Sequence, residues 1–372
     1  MTLSTSTMVK NRLLLASFSV VGAIACLGLG VPSASAQTKE DKDVVQLRDG
    51  KSASLSIESE NWDAIVGKGS PPISWDNVQA ISYANAPEFT KAIDAFNAGN
   101  YDSALTQFEA LKEDAKLRKV FKQQIAFDTA LALAENDKVD EAIAAYQDVL
   151  KTYPKGRYHV RAVDGIANGL IAKNDTAGAM KAVDAATADA GDPALATAIG
   201  LVKARLLVAQ NKYAEAKPLF VAASSAQGAP ASVGFEGQLG QATCLFQEGN
   251  AAGAETAFRS LTKVDAPKHV LAGAWNGLGD ILSDQGRKKK DIDQLLDALY
   301  CYLRGTTVYA PLAGESGLQY ERALAGSALC FGYVSDLEPN KDRKKLYSDR
   351  ANERKELLKK EFPTSPFLKL LR

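Results

Sequence analysis

Hydrophobic and polar residues alternate along this chain with two different periods, and the change falls near residue 85. In KSASLSIES, Ala53, Leu55 and Ile57 alternate with Ser52, Ser54, Ser56 and Glu58, the period of two that marks a strand with one buried face. VVQLR just upstream ends at Asp49-Gly50, a two-residue turn signal because both central positions favour positive φ. Trp62, Ala64 and Val66 alternate again before GKGSPP breaks the run, and ISWDNVQAISY supplies one or two more short strands. Residues 43–83 therefore predict a small curled sheet. So few short strands bury little, and the sheet is expected to need cover from the helices that follow. Trp62 and Trp75 read as core residues rather than a ligand platform.

From Ala86 onward the period becomes helical and alanine-rich, and it repeats. The alanine ending YDSA, VDEA, TAGA, YAEA and AAGA is Ala104, Ala142, Ala179, Ala216 and Ala254, at gaps of 38, 37, 37 and 38 residues. Four residues after each stands Phe108, Tyr146, Val183, Phe220 or Phe258, and twelve before each stands Ala92, Ala130, Ala167, Ala204 or Ala242. A fixed period of this length marks a stacked array. Two antiparallel helices approach closely only where side chains are small, so the alanines mark the contact within a unit. The ring one turn later fills the wedge against the next unit, because one helical hairpin cannot bury its apolar face alone.

This register resembles the tetratricopeptide repeat family, whose pattern places small residues at its eighth and twentieth positions, an aromatic at the twenty-fourth and a proline at the thirty-second. NDKVDEAIAAYQDVLKTYP matches with Ala142, Tyr146 and Pro154, and WNGLG matches a unit's opening with Trp275, Leu278 and Gly279. The resemblance implies a mainly α solenoid of six to seven helical hairpins over 85–335. The strands at 43–83 resemble the small SH3-like β modules that precede helical repeats in some exported bacterial proteins. The period exceeds the family's, Val183 replaces a ring, and the pair Ala298 and Tyr302 lies 44 residues after Ala254, implying an insertion that contains RKKKD. Residues 336–372 read as a capping helix and tail, with Pro363 ending the charged helix. The resemblance also implies a groove lined by the first helix of each unit, where Arg161, Asp164, Asn168, Arg205, Asn276 and Asp280 are the expected partner-binding residues.

Other features narrow the function. Residues 1–36 carry Lys10 and Arg12, an apolar run from Leu13 to Val31, and Ala34-Ser35-Ala36, the plan of a cleaved secretory signal. Residues 37–42 form a polar tether. Export to the periplasm or the extracellular space is expected. Two of the 44 Lys and Arg lie in this leader, so 42 remain against 44 Asp and Glu, a balance without long-range pull toward nucleic acid. Cys244, Cys301 and Cys330 remain after cleavage. They read as buried apolar residues, with a Cys301–Cys330 bridge as the alternative.

No residues suggest chemistry. His159 and His269 lack metal-ligand spacing and read as surface or interface residues. No CxxC, P-loop or GxSxG occurs, and carboxylates scatter along helix faces. Neither cofactor nor catalysis is expected. The expectation is a non-enzymatic exported scaffold that binds a protein or peptide of the cell envelope. The alternative is an assembly or cell-wall-associated factor that contacts a polymer or membrane through the β module or the basic loop Arg287–Lys290.

Overall fold

The computed structural model describes residues 42–84, 87–311, 317–363 and 365–371. The expected leader, and the tether except Lys42, lie outside these residues. Six strands come first: β1 (Asp43–Leu47), β2 (Ser52–Leu55), β3 (Ile57–Glu60), β4 (Ala64–Gly67), β5 (Ile73–Ser74) and β6 (Val78–Ser82). They form two three-stranded antiparallel sheets, ordered β2-β1-β6 and β3-β4-β5. The alternating run 51–59 thus breaks at Ser56 into β2 and β3, which belong to different sheets. Asp43 holds the bend by accepting the Ile57 N–H at 2.9 Å. A turn forms at Asp49-Gly50, but only Gly50 takes positive φ, at 83°, and the loop is longer than two residues, since the Leu47 N–H donates to the Lys51 carbonyl across it at 2.8 Å.

Fourteen helices follow among the described residues, paired as hairpins: α1 (Pro87–Asn97) with α2 (Tyr101–Lys112), α3 (Lys119–Glu135) with α4 (Val139–Thr152), α5 (His159–Ala172) with α6 (Thr176–Asp189), α7 (Pro193–Ala209) with α8 (Tyr213–Ser224), α9 (Ala231–Gln247) with α10 (Ala251–Leu261), α11 (Lys268–Lys289) with α12 (Ile292–Thr307), and α13 (Leu318–Leu337) with α14 (Lys341–Glu361). Within hairpins the turn repeats one device. Gly99, Asp137, Asn174, Asn211 and Gly249 each adopt positive φ, and each stands five residues before the repeat alanine. A left-handed residue closes the preceding helix, and glycine, Asn and Asp accept that conformation most readily.

The chain packs as two compact units. The first runs to Val202 and includes Gly228–Pro230; the second holds Lys203–Gln227 and the residues from Ala231 onward. In the first, Val45, Leu55, Ile57 and Ile65 of the sheets share one core with Phe89, Phe96, Phe108 and Phe121 of the helices. This supplies the cover expected of the helices. Trp62 is buried, whereas Trp75 is only partly buried. In the second unit, three clusters centre on Phe258 and Leu278, on Tyr302 and Phe331, and on Leu324 and Leu358.

The repeat positions are interior. Ala104, Ala179, Ala216 and Ala254 are 0% exposed, Ala142 is 3%, and Phe108, Tyr146, Phe220 and Phe258 are all buried. The rings meet glycines of the next hairpin. A Cβ on Gly165 would lie 2.5 Å from the Tyr146 ring, one on Gly240 2.1 Å from Phe220, and one on Gly277 2.4 Å from Phe258.

One expectation is corrected. The basic run is not a loop, since Arg287–Lys289 complete the last turn of the 22-residue α11, where positive charge suits the helix C-terminal dipole. Within 336–372 the charged helix is α14, the second helix of the last hairpin, and the 3₁₀ turn Pro366–Leu371 folds back to bury Leu371 with Leu358.

Candidate functional site

The sequence-derived residues fall into three settings. In the first unit, Arg161, Asp164 and Asn168 share one face of α5, where Arg161 and Asn168 are exposed and Asp164 half-buried. Asn168 donates to Asp164 at 3.2 Å. The Arg161 guanidinium lies 4.5 Å above the Phe127 ring and 5.7 Å from Tyr158, a placement favoured by the ring quadrupole. Phe127 and Tyr158 stack at 4.5 Å, so the cation rests on a rigid aromatic pair.

Asp128, next to Phe127 on α3, is buried. Burial pushes its carboxyl up to about 6, against the pull of a Gln124 hydrogen bond and the charges of Arg161 and Arg157. Arg157, just before α5, donates to Glu60 at 3.0 Å and lies 4.2 Å above Trp75. The first unit thus holds a band of Gln124 and the buried Asp128 on α3, Arg157 just before α5, and Arg161, Asp164 and Asn168 on α5. Sequence reasoning found the last three. Gln124 and Arg157, and likewise Asp128 and Arg161, stand 33 residues apart, a spacing that could have revealed the other members.

In the second unit, Arg205 donates to Glu236 at 2.9 Å, and the other Glu236 oxygen lies 3.1 Å from His269 Nε2. Burial raises the Glu236 carboxyl, but the His269 hydrogen bond and the Arg205 charge hold it below its ordinary value. Three successive first helices, α7, α9 and α11, are stitched by this trio. Glu236 and the role of His269 were missed because neither stands at a repeat-defining position.

Asn276 and Asp280 occupy the third setting, inside the bundle. Asn276 is 0% exposed and donates to the Gln319 carbonyl at 2.8 Å and to its side-chain oxygen at 3.1 Å. Asp280 accepts from Tyr302 at 2.6 Å and pairs with Arg322. These two residues join α11 to α12 and α13 rather than lining an open face, because α11 is packed by both. Trp275 beside them carries Arg304 at 4.4 Å from its ring.

His159 is also corrected. It is buried at the head of α5, and burial lowers its pKa. Cys244, Cys301 and Cys330 are buried and unbridged, with their thiols pushed up by burial, Cys244 and Cys301 to about 11 and Cys330 to about 12. Lys288 pairs with Asp284 at 2.7 Å, and Arg287 donates to Tyr333 at 3.1 Å. Among the described residues, no group of three His, Cys, Asp or Glu is placed to hold a metal ion.

The chain matches the sequence model of the tetratricopeptide repeat at residues 89–157 and 201–270. No curated protein matches it. Among solved structures it is similar to PilW, described as a widely conserved type IV pilus biogenesis factor, at 18% identity over 67% of this chain and 97% of that one, with a TM-score of 0.40. It is also similar to a tetratricopeptide repeat protein of Parabacteroides merdae, at 15% identity over 71% and 97%, TM-score 0.39. A third is the C-terminal part of a repeat protein of Cytophaga hutchinsonii, at 13% identity over 76% and 99%, TM-score 0.37. With alanines buried at the repeat period, rings set against the next hairpin and two segments that match the family's sequence model, this chain carries tetratricopeptide repeats at residues 89–157 and 201–270.

Proposed function

We propose that this protein is an exported, non-enzymatic scaffold that holds a protein or peptide of the cell envelope against the first helices of its repeats. The observation that carries the reading is the band on α3 and α5. Arg161 is exposed on a fixed aromatic bed, with Asp164 and Asn168 beside it and Arg157 and Asp128 behind. Polar groups already held in one geometry lose little entropy when a partner arrives. The leader at 1–36 supports export. In the basic run, Lys288 pairs with Asp284 and Arg287 donates to Tyr333, which favours the band over this run as the docking surface.

A photo-crosslinking residue in place of Asn168 should capture a partner in envelope fractions. The same residue in place of Val221, 48% exposed on the second helix α8, should not. The protein recovered from those fractions should begin at Gln37. Equal capture at both positions, or none at either, would remove the reading.

A further inference from the structure

The β module presents an edge that the repeat array does not close. In the order β2-β1-β6, β6 is terminal, and its residues Gln79, Ala80 and Ile81 pair only with β1 among the described residues. Every other backbone group of a strand points away from its partner, so β6 offers unpaired N–H and C=O groups on its outer side. Natural edge strands are commonly guarded by charge or proline. β6 reads VQAIS and has neither.

Beside this edge lies a cleft of about 340 Å³, within the range of ligand-sized sites. Gln79, Ala80, Ile81 and Trp75 line it together with Gln124 of α3 and Arg157 of the turn before α5. The Arg157 side chain is fixed. Arg157 Nη1 is bound to Glu60, and the guanidinium plane rests on Trp75. The other N–H groups of the guanidinium have no hydrogen-bonded acceptor among the described residues.

We propose that this cleft binds an extended, uncharged peptide segment of a partner protein, added as a further strand to β6. A strand carries hydrogen-bonding groups on both edges, and the cleft answers both. The open edge of β6 pairs with one. The Arg157 donors, positive against carbonyl oxygen, meet carbonyls on the other in charge-assisted bonds. Glu60 already neutralises Arg157, which removes the reason for an acidic ligand, and Ile81 and Trp75 favour β-branched side chains toward the module. This is strand addition, which draws affinity from main-chain hydrogen bonds; the cleft shares Gln124 and Arg157 with the band but not Arg161, Asp164 or Asn168.

The test uses the full chain with a short soluble probe of alternating Thr and Val flanked by Gly and Lys. Backbone amide exchange over Val78–Ser82 should slow on adding the probe. A probe of the same sequence with N-methylated backbone amides should leave exchange unchanged. Gln79→Lys places a guard charge on the exposed edge and should weaken probe binding about tenfold without changing the melting temperature. Three results would overturn the proposal: no protection of β6 at millimolar probe, equal protection by the N-methylated probe, or concentration-dependent protection without probe, which would mark β6 as a contact between two copies of this chain.

Discussion

At the scale of single residues, the informative group is Asp128. Its carboxyl titrates near 6 in the folded chain against an ordinary value of 3.8, raised by burial. A folded-state pKa above the unfolded one means that the folded protein prefers the protonated acid. The contribution of this group to stability is therefore most favourable below about pH 4 and is lost as pH rises through 6. Asp128→Asn removes that dependence. It should stabilise the first unit at pH 8 by on the order of 3 kcal/mol and make little difference at pH 4, where the acid is already neutral. Melting curves of parent and variant across that range test the sign, and a larger gain at pH 4 than at pH 8 would refute the assignment. Such a residue was not legible in the sequence. Asp128 stands among ordinary helical residues, and only the packing of Tyr158 and Arg161 from the next hairpin reveals its setting. The alanines and rings were legible because they answer to their own helix and recur at a fixed period.

At the scale of elements, the sequence showed the knobs and not all of the dimples. Tyr146, Phe220 and Phe258 were readable as wedge fillers. The glycines that receive them are not marked by the alanine alignment, although Gly165, Gly240 and Gly277 follow their rings by 19 or 20 residues. Where Val183 replaces the ring, Val202 stands nineteen residues on. Opposed effects decide what Gly240→Ala does. Alanine gains about 1 kcal/mol in helix propensity over glycine, but its Cβ would sit 2.1 Å from the Phe220 ring. Overpacking of that kind costs about 1–3 kcal/mol, so the variant should melt lower. Phe220→Ala alone should cost about 3–5 kcal/mol through the cavity it leaves. Within the Phe220→Ala background, Gly240→Ala should change sign and stabilise, since the clash is gone and the propensity gain remains. Denaturant midpoints of the four proteins show whether the sign reverses. Gly200, with no atom within 4 Å of an added Cβ, supplies the control in which alanine is tolerated.

At the scale of the whole molecule, neither array nor module explains how a sheet of short strands keeps one structure, and the answer joins residues far apart in sequence. Asp43 on β1 is 1% exposed and accepts Arg118 at 2.7 and 2.5 Å, together with the N–H groups of Ile57 and Ala84 at 2.9 Å each. Glu60 at the end of β3 binds Arg157 and Tyr83, and its carbonyl accepts Gln123 at 3.0 Å and the Arg157 N–H at 3.0 Å. These ties span 75 and 97 residues, beyond the reach of any local pattern, so the sequence predicted that the sheet needs cover without showing how it is fastened. Burial would raise the Asp43 carboxyl, but its hydrogen bonds and the Arg118 charge hold it below the usual value. Its contribution is therefore present above the unfolded carboxylate pKa and lost as pH falls through the lowered folded one. Arg118→Ala leaves a buried carboxylate with two backbone donors and no counter-ion, which should cost about 3–5 kcal/mol at pH 7. Acidification should narrow the gap from the parent, because the orphaned Asp43 then takes up a proton. Adding Asp43→Asn should restore much of the loss at pH 7, as the uncompensated charge is what destabilises. If Arg118→Ala melts like the parent at pH 7, the shared core of Val45, Ile65, Phe89 and Phe121 holds the module without the ion pair.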